Sequence, residues 1–112
     1  MKILLVCNAG MSSSILVKKI REYAASIQEE ITVEATSSAN VSQEIGKWDV
    51  CLVGPQIMYA VNEIKGKLNI PTAAVEMRAY AMADGKAAYE QAKKLNPRYI
   101  STVDSGNFVG YL

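Results

Sequence analysis

Lys2-Ile3-Leu4-Leu5-Val6-Cys7-Asn8-Ala9-Gly10-Met11-Ser12-Ser13-Ser14 decides how this chain folds. Ile3 to Val6 is a continuous apolar run with β-branched ends, the pattern of a strand buried on both faces. It stops at the small-residue turn Asn8 to Gly10. Ile15, Leu16, Ile20, Tyr23, Ala24 and Ile27 then recur at helical spacing, with Lys18, Lys19, Arg21 and Glu22 on the other side. That spacing predicts an amphipathic helix of several turns.

Outward from this stretch the alternation continues. Ile31 to Thr36 alternates and is rich in β-formers, which predicts a second strand. A short helix follows from Asn40, a capping residue, to Gly46, a terminator. Asp49 to Val53 reads as a third buried strand broken by Gly54-Pro55; Pro55 suits a first helical turn, with Met58, Val61, Ile64 and Leu68 as the inner stripe. Pro71 leads into a fourth strand, Thr72 to Val75. Met77 to Gly85 reads as a loop or an irregular helix start, and a helix runs from Lys86 to Leu95, ended by Asn96-Pro97. The order βαβαβαβα predicts the α/β class: a single-domain, open, parallel four-stranded sheet with right-handed crossovers and helices on both faces, flavodoxin-like or phosphatase-loop-like. The expected domain is 1–95. Residues 96–112 form a C-terminal extension, whose Tyr99, Ile100, Val103, Phe108, Val109 and Tyr111 flank the turn signal Asp104-Ser105-Gly106-Asn107, so a hairpin or coil over the sheet edge is expected.

Composition narrows the chemistry. A chain of 112 residues that is 50% hydrophobic fits one domain with a real core and no disulfide staples. Twelve Lys and Arg against eleven Asp and Glu give a net charge of +1, without the basic footprint of a nonspecific nucleic-acid or membrane binder. Histidine is absent, which removes Ser-His-Asp hydrolysis, HExxH zinc sites, phosphohistidine and imidazole general bases from this chain. Cys7 and Cys51 are too few and too far apart for a CxxC redox pair, a four-ligand zinc site or a disulfide framework. No metal and no cofactor is expected, and the thiols fit a reducing compartment. The first apolar run is far too short for a signal peptide or a membrane span, so a cytosolic protein is expected.

Open parallel sheets bind ligands beyond the carboxyl ends of their strands, where loops lead into helix N-termini. Cys7 stands at the first such exit. Small residues after it let backbone N–H groups converge, and Ser12 to Ser14 bring hydroxyls to a helix start, which makes an anion site. The same field favours thiolate over thiol, so Cys7 is a nucleophile that needs no histidine. The plainer reading stays open: a cysteine beside a strand can be a small buried hydrophobe, and the serines ordinary N-caps. For Cys51, in mid-strand, a core role is expected. Met11, an apolar residue at the mouth of the loop, has no capping role; it either shields a bound phosphoryl group or belongs to a docking patch. Cysteine phosphatases use a C-x5-R loop whose arginine clamps the phosphoryl group. Here Ser13 holds the arginine position, and the next arginine is Arg21. Such a loop suits holding a phosphoryl group and passing it on.

At this point the sequence resembles the enzyme IIB components of the bacterial sugar phosphotransferase system, in the lactose/cellobiose/chitobiose group, over residues 1–95. The resemblance rests on Met1 to Cys7 followed by Ala9 to Ser14, on Leu52-Val53-Gly54-Pro55-Gln56, and on Met77-Arg78-Ala79-Tyr80 with Met82 and Asp84-Gly85. It implies a phosphoryl carrier. A IIA protein phosphorylated on histidine would donate to Cys7, and Cys7 would phosphorylate a β-linked disaccharide (cellobiose, chitobiose or lactose class) as the IIC permease carries it inward. Cys7 would be the phosphocysteine, and Asn8, Ala9, Gly10, Met11, Ser12, Ser13 and Ser14 its phosphate loop. Gln56, Tyr80 and Met82 would flank that site. The implied location is the cytoplasm, transiently at the inner membrane face through the permease, with no insertion of its own. The extension 96–112 departs from the family pattern. Two other classes compete: a low-molecular-weight cysteine phosphatase or arsenate-reductase-like enzyme, which the missing arginine disfavours, and a noncatalytic flavin or nucleotide module, which the lack of Walker A and GxGxxG patterns disfavours.

Overall fold

A computed structural model describes residues 1–8 and 10–96, with the backbone alone given for 10–13. Four strands, β1 (Lys2–Cys7), β2 (Thr32–Ser37), β3 (Val50–Val53) and β4 (Thr72–Ala74), form one sheet in the order β2-β1-β3-β4. Every pairing is parallel, and the register sets Ile3 against Val33 on one side and Val50 on the other. The helices are α1 (Gly10–Ser26), α2 (Val61–Leu68), α3 (Met77–Ala81) and α4 (Gly85–Leu95), with 3₁₀ helices at Ser38–Glu44 and Pro55–Ala60.

Alternation along the strands divides the core into two layers. Ile3, Leu5 and Cys7 of β1 pack with Val33, Val50 and Leu52 against Leu16, Ile20 and Ala24 of α1, Ala79 and Tyr80 of α3, and Ala88, Tyr89 and Ala92 of α4. Leu4, Val6, Cys51 and Val53 face the other way, onto Val41, Ile57, Ile64 and Leu68. Both faces of the central strands are covered, which is why their sequences read as unbroken apolar runs. The chain leaves β1 for β2 in one direction and then returns past β1 to β3 and β4 in the other. The direction reverses between β1 and β3, the point at which open parallel sheets bind their ligands.

The structure corrects five local expectations. The connection from β2 to β3 is a 3₁₀ helix ending at Glu44; Ser37 stands at its N-cap position, and Asn40 lies inside it, donating from Nδ2 to Ser37 Oγ at 3.3 Å. Met58 is not on an inner stripe. The turn after Pro55 is 3₁₀ with a kink at Ile57, and the tighter winding brings Ile57 into the core and leaves Met58 59% exposed. Met77 to Ala81 forms a helix of its own, α3. Strand β4 ends at Ala74, although the amide of Val75 still donates to the Val53 carbonyl at 2.8 Å. Helix α4 begins at Gly85, capped by Asp84, whose carboxylate accepts from the Ala87 amide. The hairpin or coil expected in 98–112 lies outside the described residues. Among the described residues, no helix is long and apolar enough to cross a membrane.

Cys51 is fully buried in the second core layer. Desolvation pushes its thiol up from 9.0 to about 12, with a further push from Cys7. The sign follows from where the proton is held more tightly. Between pH 9 and about 12 the unfolded chain loses a proton that the folded chain keeps, so stability present below that window falls as pH rises. The slope is about 1.4 kcal/mol per pH unit. Cys51→Ala is expected to remove this part of the alkaline loss, which urea titrations of both proteins across that range would measure.

Candidate active site

Cys7 is the last residue of β1, and α1 begins at Gly10, just past Asn8 and Ala9. Its first turn carries no acidic residue. The opening amides of a 17-residue helix and the positive end of its dipole therefore begin three residues after the cysteine, in a turn without a carboxylate.

Neighbours from the ends of β2 and β3 and from α3 complete the site. Continuing the β1–β3 register beyond Val6 and Val53 places Gly54 beside Cys7, and the Gly54 amide donates to the Val6 carbonyl at 2.8 Å. A Cβ at Gly54 would lie 3.4 Å from Cys7 Sγ and 3.0 Å from Gln56 Oε1. One empty spot on the Gly54 backbone thus borders both the sulfur and the Gln56 side-chain carbonyl. On the far side of the sequence, 73 residues away, the Tyr80 hydroxyl is 3.4 Å from Cys7 Sγ. Its ring is held by α3, where the Tyr80 amide donates to the Glu76 carbonyl at 3.0 Å and the Ala83 amide donates to the Tyr80 carbonyl at 3.1 Å. On β2 the register sets Ser37 opposite Cys7.

The resting site is closed. Cys7 is only 2% exposed, and Tyr80 beside it 9%. Of the residues singled out in the sequence, Asn8 and Ser14 are exposed at the two ends of the loop. Gly10, Met11, Ser12 and Ser13 form the first turn of α1, and Ala9 lies outside the described residues. Tyr80 reaches the sulfur, and Gln56 borders the same spot at Gly54 that the sulfur borders. Met82 does not join them: it follows α3 at the surface, 68% exposed. Gly54 is the neighbour that sequence reasoning treated only as part of a turn. Its signal was available, a glycine directly after a buried strand, but its position beside Cys7 depends on the register.

Cys51 cannot partner Cys7. It pairs with Leu4, three positions back along β1, and faces the opposite layer. A disulfide needs Cα atoms within about 7 Å and converging Cβ vectors. Among the described residues no group of three or more acidic or cysteine side chains could hold a metal. Two clefts among the described residues lie away from the site: about 570 Å³ beside Arg21, Glu29 and Thr32, and about 190 Å³ between Val41, Ile57, Tyr59 and Ile64. Neither cleft is lined by Cys7.

Comparison with known proteins agrees with this architecture. The sequence pattern of the family described as "PTS system, Lactose/Cellobiose specific IIB subunit" matches residues 2–91. The oligo-beta-mannoside-specific EIIB component of Bacillus subtilis is 44% identical over 97 residues, covering 84% of this chain and 94% of that protein. The cellobiose-specific EIIB component of Lactococcus lactis subsp. lactis is 33% identical over 101 residues, covering 83% and 94%. Among solved structures, the cellobiose-specific IIB component of Borrelia burgdorferi superposes with a TM-score of 0.72 at 30% identity, over 88% of this chain and 94% of that one. The lactose-specific IIB domain of Streptococcus pneumoniae, at 18% identity, shares the fold with a TM-score of 0.73, over 85% and 96%. With the family pattern spanning the whole sheet and both flanking layers, the chain belongs to the lactose/cellobiose-specific IIB subunits and is a component of a sugar phosphotransferase system.

Proposed function

We propose that residues 1–95 act as the phosphoryl carrier of that system, with Cys7 as the phosphocysteine and the main chain of Asn8 to Ser14 as its phosphate loop. IIB components work with IIA and IIC proteins in sugar uptake. In the first transfer the Cys7 thiolate attacks the phosphorus of a IIA phosphohistidine. The S–P bond forms, the N–P bond breaks, and the imidazole nitrogen keeps the electron pair. In the second, a sugar hydroxyl held by the IIC permease attacks the same phosphorus; the S–P bond breaks, the sulfur leaves as thiolate, and the hydroxyl proton passes to a base on the acceptor side. The observation that supports this reading best is the thiol at the reversal point of the sheet, against a helix start free of acidic charge. Such a start stabilises the thiolate before transfer and the phosphoryl oxygens after it.

The acceptor sugar is a β-linked disaccharide of the cellobiose, chitobiose or lactose class. The curated relatives carry the names oligo-beta-mannoside-, galactose- and cellobiose-specific. The carrier works in the cytoplasm and visits the inner membrane face through the permease. Because the sulfur is buried at rest, its cover moves when a partner docks. Incubation with a phosphorylated IIA protein, followed by peptide mapping under conditions that keep thiophosphate esters intact, tests the proposal: label on Cys7 supports it, and label elsewhere overturns it.

Gly54 supplies a graded probe. In Gly54→Ala the new methyl meets Gln56 Oε1, the end of a flexible side chain, at 3.0 Å and the sulfur at 3.4 Å. The fold therefore tolerates it, but the methyl fills space that a phosphoryl group on Cys7 would use. Acceptance is expected to slow about tenfold or more while the melting temperature changes by only a few degrees, since small misplacements at a reacting centre cost rate out of proportion to stability.

A further inference from the structure

We infer that the Tyr80 hydroxyl is the side-chain donor that holds the Cys7 sulfur in its anionic, transfer-ready form, and that it takes part in both transfers. This rests on the carrier reading above. Tyr80 lies 73 residues from Cys7 in sequence, yet its hydroxyl sits 3.4 Å from Sγ inside the first core layer. As a thiol, Cys7 could donate or accept across that distance. Once the sulfur is a thiolate it has no proton left to give, so Tyr80 is the donor. A hydrogen bond to the charged form favours that form. An ionised group is costly to bury without directed donors, and the Tyr80 hydroxyl is one within reach of the sulfur.

The hydroxyl acts differently in the two steps. It enlarges the thiolate population ahead of attack on the phosphohistidine. Each bound thiolate is a somewhat weaker nucleophile for being hydrogen-bonded. In the discharge step the same hydroxyl stabilises sulfur as a leaving group, because negative charge returns to Sγ as the S–P bond breaks. Tyr80 is placed for this by α3, a short helix directly after the strand end at β4. The burial of Tyr80 within the first layer limits the directions in which its hydroxyl can point.

Tyr80→Phe keeps the ring and removes the donor. The thiolate is followed by its ultraviolet absorbance against pH, each protein being read against the same chain carrying Cys7→Ser; acceptance from a phosphorylated IIA protein is timed over the same pH range. The phenylalanine variant is expected to show a three- to tenfold smaller thiolate fraction near neutral pH, on the order expected for one lost hydrogen bond. Its acceptance should slow to match and then equal or overtake the natural protein in alkaline solution, where both sulfurs are ionised. Fluorotyrosine at position 80, a stronger donor of nearly the same shape, should shift the thiolate titration the opposite way. A role in packing alone would not give shifts of opposite sign. Unchanged titrations in both variants overturn the inference, even with Cys7→Ser inactive. If Cys7→Ser still accepts phosphate, the carrier reading fails and the inference falls with it, a result recognisable from the Cys7→Ser protein alone.

Discussion

Cys7→Ser is expected to abolish phosphoryl acceptance, with a loss of at least about a thousandfold, while the protein stays folded. The oxygen is smaller than the sulfur and fits the same space beside Gly54 and Tyr80, so the core layer around it persists. The difference is in charge. A thiol is a far stronger acid than an alcohol, and the chain has no histidine to serve as the alcohol's base. Cys51→Ala should accept phosphate at close to the natural rate, because Cys51 faces the other layer and its thiol is held protonated by burial. Intact-mass measurement after incubation with a phosphorylated IIA protein reads both variants at once. Acceptance by Cys7→Ser, or its loss only in Cys51→Ala, would assign the chemistry to the wrong sulfur.

Gly85→Ala is expected to be the most damaging single methyl in the described fold. Gly85 opens α4 directly against the backbone of α1: a Cβ there would lie 2.3 Å from the Lys19 carbonyl oxygen and 2.8 Å from the Ile20 amide nitrogen. Neither neighbour is a side chain that can swing away, so one helix must move. Both helices carry much of the first core layer, through Leu16, Ile20, Ala88, Tyr89 and Ala92, and separating them loosens that layer. Overpacking of this kind costs about 3 kcal/mol, or about 10–20 °C in melting temperature for a domain of this size. Gly66→Ala is the matched control. Nothing lies within 4 Å of a Cβ at Gly66, in the middle of α2, so the same substitution there should stabilise by up to about 1 kcal/mol. Thermal melts of the two variants test the claim by sign. Equal effects would mean that the α1–α4 approach is not tight.

The elements were largely readable because they are encoded locally. The run Ile3 to Val6, the small turn and the apolar stripe of α1 give strand, loop and helix from neighbouring residues alone, and Cys7 falls at their junction. Where winding changed, the reading slipped. The stripe was counted at α-helical spacing from Pro55, but the first turn is 3₁₀, and the buried residue is Ile57 in place of Met58. Met77 to Ala81 offers too few residues for a period to declare itself, so α3 did not stand out.

By itself the sequence determined a parallel α/β domain with a cysteine at the exit of its first strand, since periodicity, turn residues and the absence of histidine and arginine near that cysteine are properties of short stretches. Only the tertiary structure decided the strand order β2-β1-β3-β4, the pairing that sets Gly54 beside Cys7, the reach of Tyr80 across 73 residues and the burial of the sulfur. Those contacts depend on which distant surfaces meet when both faces of the sheet are covered at once, a competition that no local pattern encodes.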